Sequence, residues 1–151
     1  MTSTISAATM TVTLTESINL NGSNQGATNS LAIASIAEVS KRIVNCPASE
    51  KTVISFGAAI AAGTFIAGDI RYVRITNKDD TNFVILNIEG AASTDFSVRL
   101  DKGASFVIAS SSTTGVVDYA DISGATLEDL SAIKATADTA ACDLEIFVAS
   151  A

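Results

Sequence analysis

Two adjoining runs, residues 69–77 and 81–88, dominate the pattern of apolar and polar positions along the chain. Both are rich in β-branched and aromatic residues, and Lys78, Asp79 and Asp80 between them are polar turn material. The pair therefore predicts two strands joined as a hairpin. Val73 and Ile75 share one face of the first strand, with Ile70 and Tyr72 on the other. In the second strand Phe83 and Ile85 oppose Val84, Leu86 and Ile88. Strands that are apolar on both sides are covered on both sides, which predicts a place at the centre of a sandwich or at an interface.

The rest of the chain is punctuated in the same way. Residues 9–15 alternate most cleanly, with Met10, Val12 and Leu14 inward and four threonines outward. An Asn-, Gly- and Ser-rich loop is expected at 19–30. Residues 31–46 fit a helical stripe through Ile36, Val39 and Ile43 as well as they fit strands; the expectation adopted is two short strands around Ser40, closed by Pro47. A strand at 51–56 precedes a Gly/Ala-rich connection at 57–68. A second hairpin is expected where Phe96, Val98 and Leu100 return through Phe106 and Ile108, its loop Asp101, Lys102 and Gly103 placing glycine at the left-handed position. Residues 110–115 read as a loop, 116–120 as a strand extension and 121–124 as a turn. Residues 127–135 fit a helix start or a strand, and Leu144, Ile146 and Val148 mark the closing strand. Eight to ten short strands without a long helix predict an all-β fold, a jelly-roll-like antiparallel β-sandwich forming a single domain over 1–151. Residues 1–8 are expected to be a flexible or interface arm.

Composition sharpens this picture in one respect. Charged residues make up 17% of the chain, against about 25% in an ordinary soluble domain. Alanine explains part of the apolar excess; cover of the outer surface by neighbouring subunits explains it equally. The net charge of −7 with scattered basic residues argues against nucleic acid, whose phosphates demand clustered lysine and arginine, and against an anionic membrane surface. The N-terminal residues lack a positive segment and an apolar core, so no secretory signal is expected. The uncharged run 52–68 reaches the lower limit of a membrane span, but its glycines read as a strand, a small-residue loop and another strand. Cys46 and Cys142 have no metal-type spacing and are expected as buried free thiols, pairing only if the fold juxtaposes them.

The chain has no histidine, which removes the commonest general base and zinc ligand and any Ser-His-Asp or Cys-His arrangement. Carboxylate pairs are present at Asp79 and Asp80, at Asp118 and Asp121, and at Glu128 and Asp129, and each has a plainer reading beside a turn. Asp118 and Asp121 near Ser123 are the weak candidates for calcium. Glycines fall singly, without a phosphate-binding spacing, and aromatics are sparse for a stacking platform. No catalytic, cofactor or metal site is expected. The candidates for an interface are Lys41, Arg42, Arg71, Tyr72, Arg74, Asp79, Asp80 and Arg99. Arginines set in mid-strand suit ion pairing between subunits as well as solvated surface pairing.

Four phrases carry a resemblance: Tyr72-Val-Arg-Ile-Thr-Asn77, Asn82-Phe-Val84, Leu100-Asp-Lys-Gly-Ala-Ser-Phe106 and Asp143-Leu-Glu-Ile-Phe-Val-Ala149, with a fainter extension to Lys41-Arg-Ile-Val44. Together they resemble small virion structural proteins of tailed bacteriophages, especially marine ones. The resemblance implies a β-sandwich component of the particle. It would be a capsid decoration (cement) protein, a minor head protein, or a fibre or knob subunit with a receptor- or glycan-binding role. It implies the major capsid protein or other virion proteins as partners, a homo-oligomer, assembly in a bacterial cytoplasm and residence in the virion.

Overall fold

Strand pairing across long sequence separations defines the architecture. The computed structural model describes residues 4–91, 95–112, 118–120 and 127–151, with only the backbone for 118–120, 127 and 128. Fourteen strand segments are present among them. An N-terminal group comprises β1 (Ala8–Thr15), β2 (Asn19–Leu20), β3 (Ser23–Asn24) and β4 (Thr28–Ile36). Next come β5 (Glu38–Cys46), β6 (Lys51–Gly57), β7 (Thr64–Ile66), a 3-10 turn (Ala67–Asp69), β8 (Ile70–Asn77) and β9 (Val84–Gly90). The chain finishes with β10 (Asp95–Leu100), β11 (Ser105–Ala109), β12 (Asp118–Ala120), β13 (Leu127–Ala137) and β14 (Cys142–Ser150). The uncharged run 52–68 is thus a strand, a short link and another strand. No helix among the described residues is long and apolar enough to cross a membrane.

Two sheets form the body. One has the order β11-β8-β14-β5, the other β10-β9-β13-β6, extended by β7 in a parallel pairing and bridged at β13 by β12. From β5 to β14 the eight principal strands change sheet at every step except β9 to β10. That order is a jelly roll, an antiparallel sandwich of two interleaved Greek keys. Its core lies between the sheets. Val73, Ile75, Leu144, Ile146 and Val148 come from one; Val84, Leu86, Ile88, Ile133 and Ile54 come from the other. Ile70 also joins this core and does not share the face of Tyr72, because a register shift between Ala149 and Ser150 turns the start of β8.

Both expected hairpins are corrected by this order. β8 pairs with β14 and β11, whereas β9 pairs with β13 and β10. The short link 78–83 is therefore an arch between sheets. So is the turn after Leu100: the Ala104 amide closes it on the Asp101 carbonyl (3.0 Å), and Gly103 takes φ 72° as expected, but β10 and β11 lie in different sheets. Other expectations shift as well. Residues 19–30 contain the small β2–β3 hairpin, β4 and β5 break at Ala37 and not at Ser40, and 127–137 is a strand. The expected turn at 121–124 lies outside the described residues.

One side chain holds the two arches together. Asn77, at the end of β8, is fully buried. Its Nδ2 donates to the carbonyls of Asn82 (2.9 Å) and Leu100 (3.2 Å), and its Oδ1 accepts from the Asp79 amide (3.0 Å). Its backbone exchanges two more bonds with the second arch, to Ala104 and from Gly103. Asp79 then accepts from the amides of Thr81 (2.8 Å) and Asn82 (2.6 Å). These backbone donors, that of Asn82 foremost, hold its carboxyl below the usual carboxylate range. The link after β13 joins the same corner: Asp138 N donates to Phe83 O, Ala137 N to Pro47 O, and Thr139 Oγ1 to Asn82 Oδ1.

Removing this amide strands buried carbonyls, each worth roughly 1–3 kcal/mol. Asn77→Ala is therefore expected to cost about 3 kcal/mol or more in denaturant unfolding, well above the cost of Asn87→Ala on the outer surface. The Asp79 shift also sets a sign for acid stability. A carboxyl with a lowered folded value stabilises fully above its unfolded value and loses that contribution as pH falls through the folded one. The thermal midpoint of the Asp79→Asn variant should therefore fall less steeply below pH ~4 than that of the parent.

Candidate interface on the outer face of the four-stranded sheet

The outer face of the β11-β8-β14-β5 sheet is read directly from register. One row runs Ala109, Tyr72, Ala149, Val39; the next Val107, Arg74, Phe147, Lys41; the third Ser105, Thr76, Glu145, Ile43. The first row is covered except at its β5 end, where Val39 is exposed. β1 and β4 pair along their length and lay Met10, Val12, Leu31, Ile33 and Ile36 over Tyr72, Ala149 and Phe147. Tyr72 meets Phe147 edge-on, with ring centroids 5.8 Å apart. Ile33 and Ile36 are three apart yet both face this patch, because Ser35 sits at φ 62° in a bulge that resets the alternation. A third layer thus lies on part of the sandwich.

That layer is the base of a longer hairpin. Beyond β1 the strands stay paired through Glu16 N to Ala27 O and Gln25 N to Ile18 O, up to a tip at Asn21 (φ 51°) and Gly22 (φ 79°). Positive φ at both central residues is the type I′ turn that matches strand twist. Leu14, Ile18 and Leu20 continue the even-numbered face that Met10 and Val12 bury, and all three are more than half exposed. The opposite face is polar, with hydroxyl pairs Thr13–Ser30 and Thr15–Thr28 at 3.2 Å. Glu16 interrupts the even-numbered series between Leu14 and Ile18, and among the described residues only the base of the arm rests on the body. Leu14, expected inward with Met10 and Val12, is 60% exposed.

Beside the arm, the open part of the sheet pairs apolar and charged groups. Glu145 lies between Arg74 Nη2 (2.6 Å) and Lys41 Nζ (3.3 Å). The Arg74 hydrogen bond, then Lys41, holds its carboxyl below the ordinary value. Two cations share this anion, and Asp143, two residues along β14 on the same face and bonded by Asn45 Nδ2 (3.0 Å), adds a second carboxylate. Val39, Ile43 and Val107 are exposed around this cluster.

Of the eight interface candidates, Tyr72, Arg74 and Lys41 come together on this face, with Tyr72 beneath the arm. The others do not. Arg71 is buried and donates to the carbonyls of Gly68 (2.7 Å) and Ile70 (3.2 Å), fastening the 3-10 turn. Arg42 points to the opposite face of β5 and donates to Val53 O on β6, closing the open side of the sandwich. Asp79 and Asp80 belong to the first arch, where Asp80 accepts from Thr81 Oγ1 (2.9 Å). Arg99 lies over the Phe83 ring (4.0 Å) and pairs with Asp101 (2.8 Å). Leu14 was expected to face inward and Val39 and Ile43 were read only as strand or helix positions, so none of the exposed apolar residues of the arm and of β5 was named as an interface candidate, although Ile18 and Leu20 carried the signal. A cleft of about 420 Å³ opens on the inner side of β5, lined in part by Ser40, Arg42, Thr64, Phe65 and Asp69. Among the described residues no group of carboxylates and thiols is arranged to hold a metal ion; the side chains of the calcium candidates Asp118, Asp121 and Ser123 lie outside them.

An isolated two-stranded hairpin is marginal in water, so the arm depends on its anchor. Tyr72→Ala is expected to ease opening of the arm by about 3 kcal/mol, read as faster hydrogen exchange at β1 and β4 amides with β8 and β14 protection unchanged. Comparison of the chain with protein-family models and with curated proteins finds no match to either.

Proposed function

We propose that this is a non-enzymatic structural protein of a tailed-phage particle, a capsid decoration protein that binds the head shell and stabilises it through subunit contacts. The observation that carries this reading is the arm: a paired hairpin whose apolar residues are buried on its own body at the base and exposed toward the tip. The open sheet face beside it, with Val39, Ile43 and Val107 around the Lys41–Glu145–Arg74 cluster, supports a second contact. The jelly-roll order supports it at the level of architecture, which viral capsid domains share with lectins and cupins, though fold alone assigns no role. The resemblance of four sequence phrases to tailed-phage virion proteins supports the choice of particle, and homo-oligomers fit the same surfaces.

The mechanism is burial without chemistry. Leu14, Ile18 and Leu20 leave water against a neighbouring subunit, and a stable contact of this kind buries on the order of 1,000 Å² or more. Particles stripped of the protein should disassemble at lower temperature or milder osmotic shock. Adding it back should restore them, and the paired substitution Leu14→Asp with Ile18→Asp should abolish that rescue while leaving the sandwich folded. Stripped particles as robust as complete ones would refute cementing.

A second reading, a glycan-binding module on a fibre or knob, draws on the cleft beside β5 and on the lectin use of the same architecture. Saturable binding to a glycan array, lost in Ser40→Trp and retained in the Leu14→Asp, Ile18→Asp variant, would favour it over cementing.

A further inference from the structure

We propose that Cys46 and Cys142 form a modification site, closing into a cross-strand disulfide when the folded protein meets a low-molecular-weight disulfide. The two residues are register partners, Cys46 ending β5 and Cys142 opening β14. Register partners in an antiparallel pair project to the same side of the sheet, and both side chains lie in the core between the sheets, free and buried. Directly opposed residues have Cα atoms roughly 4.5 or 5.5 Å apart, depending on whether they exchange hydrogen bonds. Either separation lies within the roughly 4.4–6.8 Å that a disulfide spans. Opposed Cβ atoms lie roughly 4.5–5.5 Å apart, at or just beyond the roughly 3.5–4.5 Å of a disulfide, so closure draws the two strand ends together by about 1 Å or less.

The thiols point at different acceptors in the reduced chain. Cys46 Sγ donates to Pro47 O (3.6 Å), and Cys142 Sγ reaches Ala140 O (3.6 Å) and Phe83 O (3.9 Å). These are weak sulfur bonds, and rotation of the two side chains about Cα–Cβ exchanges them for the S–S bond. Access comes from the place of the pair in the sheet. It ends the β5–β14 ladder, β5 is an edge strand, and Pro47 follows with no amide to donate. Fraying of one strand end exposes both sulfurs while the rest of the sandwich stays closed.

The reaction is a double exchange. One thiol loses its proton, and its thiolate attacks the small disulfide, forming a mixed disulfide and expelling one small thiolate. The second cysteine, deprotonated in turn, displaces the other small thiolate and forms the Cys46–Cys142 bond. The protein gives up two protons and two electrons, and one small disulfide becomes two small thiols. Burial pushes both thiols up, Cys142 to about 11 with the Asp79 and Asp138 carboxylates and Cys46 adding to it. The thiolate is scarce at neutral pH, so the pair is slow to oxidise there and faster as pH rises.

The test uses the whole folded protein with excess 2-hydroxyethyl disulfide in native buffer, followed by intact mass and thermal unfolding. The expected result is loss of two hydrogens without adduct, a cross-linked peptide containing both cysteines, and a midpoint raised by several degrees that dithiothreitol reverses. Initial rates should climb about tenfold per pH unit between pH 7 and 9. Cys46→Ala and Cys142→Ala should each lack the midpoint rise. Stable mixed-disulfide adducts would overturn the proposal, as would thiols still free at pH 9 after a reference dithiol peptide is fully oxidised, or a lowered midpoint.

Discussion

The sandwich depends on a buried amide at a chain reversal. A jelly roll sends most successive strands into opposite sheets, and each such connection must cross the thickness of the core while its peptide groups leave the hydrogen-bond ladders. Asn77 meets that demand with three side-chain bonds and two backbone bonds, at zero exposure. Two arches, 78–83 and 101–104, are tied to the same residue, and the β13–β14 link is stitched on through Asn82 and Phe83. An apolar residue of similar size would satisfy the core and leave the crossings without partners. The requirement is chemical as much as steric, which is why a polar side chain occupies one of the fully buried positions among the described residues.

The strands were legible in the sequence because period-two alternation is local. Val84, Leu86 and Ile88 face the core, as do Leu144, Ile146 and Val148, and Gly103 takes the left-handed turn position. Pairing was not legible, because nothing local separates an arch from a hairpin. Consecutive strands joined by a few polar residues are neighbours in most sheets, and both 78–80 and 101–103 satisfy that description. What distinguishes them here is the buried destination of Asn77 Nδ2, a contact that exists only once Leu100 and Asn82 have converged. The two-sided apolar character of β8 was read correctly in one sense: one side meets the opposite sheet and the other meets the arm.

The candidate surface was legible only in part. Reading charge first brought forward Arg42, Arg71 and Arg99, which turn out to fasten the fold: across the sandwich mouth, on the 3-10 turn and over Phe83. In a charge-poor chain an arginine is as often a clasp for stray carbonyls as a recognition group. Lys41 and Arg74 do share an open face, held by Glu145. The exposed residues Leu14, Ile18 and Leu20 were hidden in two ways: alternation through Leu14 announces a strand but is silent on whether the apolar side has anything to rest on, and Glu16 breaks the series before the expected loop. Lys41 and Arg42 on the free strand β5 also discourage edge-to-edge association, leaving faces as the surfaces for contact.

The arm meets the body at a narrow neck. Ala37 alone separates β4 from β5, its amide bound to Ser150 O (2.9 Å), and the arm's cover is confined to one patch around Tyr72. Lifting it would break that patch and leave the two-sheet core whole. The molecule therefore has two thresholds of stability, a lower one for the appendage and a higher one for the sandwich. A partner that grips the arm draws on the first without disturbing the second.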